Sequence, residues 1–125
     1  MAYHHRLTIR DAITIIIVMA KQPAFTLAYA DEVRLHLLAI ESKYHSLIQS
    51  EIERQLLHDP DVETRNRKPL KRPIAFGADW ELRFGPDNCF RVFYQVNVEA
   101  RVVRVLAVGV KERNQLFFGG EEFKG

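Results

Sequence analysis

The sequence predicts an α+β domain: a strand, a helical hairpin, then a three-stranded antiparallel meander, with the helices packed on one face of the sheet. Three observations carry that reading. Residues 24–30 alternate large and small side chains, residues 33–56 repeat apolar residues at three- and four-residue spacing, and residues 80–110 hold three alternating runs separated by turn residues. A length of 125 residues, 47% of them hydrophobic and 27% charged, suits one domain able to bury a core.

The folded domain is expected over residues 23–125, with residues 1–22 as an N-terminal extension. The longest apolar stretch, Ala12–Ala20, follows His4, His5, Arg6 and Arg10. Three readings of it stand: a poor signal peptide, weakened by Asp11; an extra β-branched strand; or sequence upstream of a true start at Met19. The apolar run is shorter than the ~20 residues of a membrane helix, so no membrane partner is expected.

The first strand is Ala24–Ala30, with Phe25, Leu27 and Tyr29 on one side. Asp31 is placed to cap a helix and Glu32 to favour its first turn. Val33, Leu37, Ile40, Tyr44, Leu47, Ile48, Ile52 and Leu56 continue the stripe to His58, where Asp59-Pro60 stops it. The chain either turns near Ser42-Lys43, with Ser42 capping the second helix, or forms one bent helix. Residues 59–79 read as a polar connection opening a basic cluster of Arg65, Arg67, Lys68, Lys71 and Arg72.

The meander follows. Trp80–Phe84 alternates, Gly85-Pro86-Asp87-Asn88 turns, Phe90–Asn97 alternates again, and Asn97–Ala100 leads into the Val-rich run Arg101–Val110, which ends near Gly109. Then come the polar KERNQ, the strand-like Leu116–Phe118, Gly119-Gly120 and an acidic tail at Glu121 and Glu122.

Net charge is only +2, which speaks against a strongly basic nucleic-acid binder. The distribution says otherwise: residues 19–63 carry −4 and residues 64–113 carry +6. Alternation places Trp80, Leu82 and Phe84 on one face, with Phe90, Val92, Tyr94 and Val96 beside them. Glu81, Arg83, Arg91, Phe93 and Gln95 then share the opposite face. Lys68, Lys71 and Arg72 approach it from the preceding segment, and Lys111 and Arg113 from the end of the last strand. The expectation is a concave cationic surface bearing Phe93, suited to phosphate; the competing reading is an ordinary solvated strand face.

Other chemistry finds little support. His4, His5, His36, His45 and His58 show no metal-ligand spacing, and His36 and His45 read as surface or partly packed residues. Cys89 has no histidine beside it and reads as a small packed residue; a single cysteine fits a reducing cytosol. Gly119-Gly120 is not part of a P-loop pattern. No metal or cofactor is expected.

With RKPLKRP at 67–73, WELRFGPDNCFRVFYQVN at 80–97 and VVRVLAVGVKERNQLFFGGEE at 102–122, the chain resembles the RelE/ParE superfamily of bacterial type II toxins over residues 24–122. The resemblance implies a microbial-RNase-like sheet and a cytoplasmic toxin neutralised by a cognate antitoxin, as a toxin–antitoxin hetero-oligomer or with a homodimer. It implies ribosome-dependent mRNA cleavage, in which a ribose 2′-oxygen attacks the adjacent phosphate to give a 2′,3′-cyclic phosphate. By position, Arg83, Arg91 and Lys111 are then the catalytic candidates, and Lys68, Lys71, Arg72 and Arg113 bind RNA phosphate. Phe90 stands for a tyrosine before the phosphate-binding arginine, and Phe117 for a functional tyrosine of the nuclease branch. Phenylalanine transfers no proton and arginine gives its own up poorly. The alternatives are therefore a DNA gyrase inhibitor, or a degenerate member that only binds RNA or antitoxin.

Overall fold

A computed structural model of the chain describes residues 8–13, 23–71 and 76–124. In chain order the domain contains β1 (Thr26–Tyr29), α1 (Glu32–Leu38), a 3-10 turn (Ser42–Tyr44), α2 (His45–Leu56) and β2 (Arg67–Pro69). Next are β3 (Trp80–Phe84), a 3-10 turn (Pro86–Asn88), β4 (Phe90–Asn97), β5 (Val102–Glu112), β6 (Gln115–Phe118) and β7 (Glu121–Glu122). The class is the α+β one expected, and β3-β4-β5 is the antiparallel meander.

The sheet is larger than that meander. Its order is β2-β3-β4-β5-β6-β7, and β1 lies parallel on β5. The outer edge of β5 is thus divided: residues 102–105 pair with β1 and residues 109–112 with β6. β5 runs past Gly109 to Glu112, and Arg113 and Asn114 make a two-residue turn with both φ angles positive, at 51° and 66°. Such a turn matches the twist of the strands it joins. Gly119 and Gly120, at φ 61° and 82°, repeat the device between β6 and β7. Glu121 and Glu122 therefore belong to a strand rather than a tail. Within the segment read as a connection, Arg67–Pro69 pairs with β3.

Each face of the sheet carries an apolar cluster. On the helix side, Val33 of α1 and Ile48, Ile52 and Leu56 of α2 form one cluster with Leu82, Phe84, Phe90, Val92, Tyr94, Val103, Val105 and Val108 of the sheet. Burying side chains of this size supplies the main stabilisation; truncating one to Ala typically costs about 2–5 kcal/mol. The opposite face has its own cluster of Ala78, Phe93, Leu106, Ala107 and Phe118, edged by Leu70, Leu116 and Phe123. A bulge joins the two. Phe93 opposes Ala107 and Tyr94 opposes Val105, so Leu106 is the extra residue, and Val105 and Val108 both turn towards the helices.

The helices differ from expectation at their ends. Asp31 is itself in helical conformation and makes no side-chain cap. α1 stops at Leu38 and the chain re-enters helix through Ser42–Tyr44, so Ser42 lies in the 3-10 turn and does not cap α2. His45 makes the junction: its Nε2 lies 2.8 Å from the Leu37 carbonyl and 2.9 Å from that of Ile40, bonding acceptors left open by the end of α1.

Pro23 and Phe25 are tied to the rest of the domain. Arg101 donates to the Pro23 carbonyl from Nε and Nη2 and lies 4.3 Å from the Phe25 ring centroid. Phe25 N–H donates to Leu57 O at 2.7 Å. Upstream, residues 9–13 are helical and Thr8 and Asp11 bond each other's backbone N–H in a capping box. Residues 14–22, most of the apolar run and Met19 with it, lie outside the described residues.

Candidate functional site

Arg83 and Arg91 are directly opposed in the β3–β4 register, so both project to the face away from the helices. Glu81 is two residues before Arg83 and shares that face. Its carboxylate joins the pair: Oε1 accepts from Arg83 Nε at 2.6 Å and Oε2 from Arg91 Nη1 at 3.3 Å. Arg91 Nε also donates to Asn88 O at 2.8 Å. That carbonyl is aimed by the turn 85–88, in which Gly85, Asp87 and Asn88 have φ of 84°, 52° and 53°. Arg83 keeps 41% of its side chain exposed, whereas Arg91 keeps 11% and Glu81 only 8%.

Beyond Arg91 on β5 is Gly109. A Cβ there would lie 2.7 Å from Phe118 Cε1 and 3.0 Å from Phe117 O, so glycine lets the β6–β7 hairpin close over this part of the sheet without displacing either. Past Gly109, Lys111 and Arg113 join Arg91 in lining a cleft of about 460 Å³, together with Pro86, Asp87, Cys89, Glu112 and Asn114. The structure therefore brings four of the predicted residues to one end of the face: Arg83, Arg91, Lys111 and Arg113.

The others stand apart. Lys68 opposes Glu81 on β2 but pairs with Glu63, at 3.7 Å. Lys71 is exposed just beyond β2, and Arg72 lies outside the described residues. Arg67 leaves the basic cluster altogether. It is buried, and donates to Gln55 O, Gln55 Oε1 and Val62 O at 3.0, 2.7 and 3.0 Å. Phe93 is 1% exposed inside the second cluster, so it is not the exposed aromatic of a concave cationic surface. The residues that cover it come from β5, β6 and the segment before β3, none of which alternation within β4 reveals.

The proton-carrying groups are equally specific in place. Phe117 opposes Val110, a residue of the helix-side cluster, and so faces away from Arg91. Tyr94 donates its hydroxyl to Pro60 O at 2.7 Å, and burial drives its pKa far up. Burial also raises the Cys89 thiol, which leaves it a poor nucleophile at neutral pH. His36 is buried rather than at the surface, with Nδ1 accepting the Val108 N–H. Among the described residues no group of three metal-ligating side chains occurs, and no helix is long and apolar enough to cross a membrane. Glu81 is the residue that composition and motif both passed over. Its signal was the i, i+2 spacing from Arg83, which places a carboxylate beside the arginine on any strand.

No protein-family model matches the chain, and no curated protein matches it. Among solved structures, it is similar to a chain of the toxin–antitoxin complex RelBE2 from Mycobacterium tuberculosis, at 20% identity and a TM-score of 0.53. The match covers 72% of this chain and all of the other. The fold is therefore RelE-like.

Proposed function

We propose that this chain is the toxin of a type II toxin–antitoxin pair and that it cuts mRNA on the ribosome, with Arg83, Arg91 and Lys111 gripping the scissile phosphate. The observation that carries the reading is the opposed Arg83–Arg91 pair opening onto the Lys111–Arg113 cleft, on a RelE-like fold. Attack of a 2′-oxygen on the adjacent phosphate concentrates negative charge on the phosphoryl oxygens. Guanidinium forks and an ammonium held in place beforehand stabilise that charge more than they stabilise the ground state. Arginine keeps its protons, so of the cations in the cleft Lys111 is the one whose chemistry allows donation to the leaving 5′-oxygen. As the bond from O2′ to phosphorus forms and that to O5′ breaks, the 2′-hydroxyl proton passes to solvent water, and ribosomal alignment of the two reacting atoms supplies the remainder.

An acidic segment of the antitoxin would cover the same end of the sheet, its carboxylates answering Arg83, Arg91 and Lys111. The test is induction of the protein in a bacterial host while mRNA 5′ ends and DNA supercoiling are followed together. Ribosome-associated cuts with 5′-hydroxyl ends, lost in Arg83→Ala and Arg91→Ala, are expected. DNA breaks with intact mRNA would reject the nuclease in favour of gyrase.

A further inference from the structure

Glu81 is a buried carboxylate in a region whose charge excess is positive, and its choice of partners is informative. Its own cross-strand neighbours are Lys68 on β2 and Phe93 on β4. Yet it pairs with neither, and bonds instead to Arg83, two residues along its own strand, and diagonally to Arg91. Two guanidiniums directly opposed across a ladder repel. A carboxylate shared between them relieves that repulsion, and the two cations in turn make burial of the carboxylate tolerable. Arg91 is then fixed at two points, by Asn88 O at Nε and by Glu81 at Nη1, while Arg83 is held at Nε and remains partly open to solvent.

We infer that Glu81 is a positioning residue for the site proposed above: an internal counter-ion that holds Arg83 and Arg91 side by side for one phosphate and withholds part of their charge until that phosphate shares it. The inference rests on the nuclease reading only for its catalytic consequence; the clamp itself is a property of the free protein. Removing the charge has two opposite effects. Without the competing carboxylate, an incoming phosphate meets two uncompensated cations and binds more tightly. Without the clamp, the two guanidiniums separate, and the geometry needed at the crowded phosphorus is lost.

The experiment uses the full chain, Glu81→Gln and Glu81→Asp. A single-stranded RNA oligonucleotide is the binding probe across a salt series, and programmed ribosomes are the cleavage substrate. Glu81→Gln is expected to bind the oligonucleotide about three- to tenfold more tightly, with a salt slope steeper by about 0.7. It is expected to cleave at least about tenfold more slowly. Glu81→Asp keeps the charge but shortens its reach, so RNA affinity stays while cleavage falls; should Glu81→Gln fail to fold, this split carries the test. The readout independent of RNA is the pair of arginine Nε–H resonances. Both are expected to be protected from solvent exchange in the wild type, and that of Arg83 to lose its protection in Glu81→Gln. Unchanged resonances in Glu81→Gln, or binding and cleavage both unaltered, would overturn the inference. A chain whose RNA binding ignores Arg83→Ala and Arg91→Ala, but whose resonances still respond to Glu81→Gln, would reject the nuclease reading and leave the clamp standing.

Discussion

His36 Nδ1 accepts the backbone N–H of Val108 at 3.2 Å, on the stretch of the β5 edge that lies between the pairing of β1 and that of β6. A helix side chain thus completes a sheet edge, with the Phe118 and Phe76 rings 5.4 and 5.6 Å from the imidazole. Accepting that N–H requires an unprotonated Nδ1. Burial lowers the pKa of His36 below its ordinary value, against a smaller opposing pull from Glu32.

A pH dependence of stability follows. An unfolded histidine titrates near about 6.5, so between that value and the lower folded one the unfolded chain binds more protons. Stability is therefore full above about 6.5 and is lost as pH falls through that window. Urea unfolding at pH 7.5 and 5.5 should show a loss in the wild type that shrinks in His36→Asn, which keeps an acceptor but does not titrate. An equal loss in both proteins would remove His36 as its source.

Arg67 separates structure from function among the basic residues. It joins the end of α2 to the loop before β2 through three carbonyl-type acceptors. Arg67→Ala leaves those acceptors unpaired in the interior and is expected to cost about 2–4 kcal/mol. Chemical denaturation measures that loss. RNA affinity measured well below the unfolding midpoint should be unchanged, whereas Arg83→Ala is expected to lower RNA affinity and, because Arg91 still answers the buried Glu81 carboxylate, to lose less stability than Arg67→Ala.

Gly109→Ala tests the contact between β5 and the β6–β7 hairpin. The added Cβ meets the Phe118 ring, which could shift, and the Phe117 carbonyl, which is held by the strand pairing. Overpacking of this kind costs about 1–3 kcal/mol. Faster hydrogen exchange is expected along Gln115–Phe118 and not along β3. Uniform loss across the sheet would mean that the hairpin is no separate unit.

How much of this could be read from residues alone depends on the range of the contact. The helix-side core was legible, because Trp80/Leu82/Phe84 and Phe90/Val92/Tyr94 keep strict alternation within single strands. Alternation also put Arg83 and Arg91 together. It failed at Phe93, whose cover comes from Ala78 and Phe118, distant in sequence. It failed again at Leu106, where a bulge breaks the period without any glycine or proline to mark it. His36 read as a surface or partly packed residue because the unpaired N–H it bonds is created by two strands sharing one edge of β5. Charge counting overestimated the cationic face for the same reason: Arg67 is consumed by the interior, Lys68 by Glu63, and part of Arg83 and Arg91 by Glu81.

That accounting ranks the lysines. Lys68 and Lys111 are both half-buried on strands of the basic half of the chain, and charge pattern by itself offers no reason to prefer either; the family resemblance alone separated them. In the structure Lys68 is paired with Glu63 and lies on β2, beyond β3 from Arg91, whereas Lys111 lines the cleft with Arg91. An exposed pair of the Lys68–Glu63 kind contributes little to stability, so neither substitution should unfold the protein. Lys111→Ala is expected to weaken binding of a single-stranded RNA oligonucleotide about tenfold and to flatten its salt slope by about 0.7. Lys68→Ala should change affinity less than about threefold, because the phosphate gains only a cation already shared. Titrations at several salt concentrations decide it. Equal losses for the two lysines would mean that RNA crosses the β2–β3 side of the sheet, and the contact surface would have to be redrawn away from the cleft.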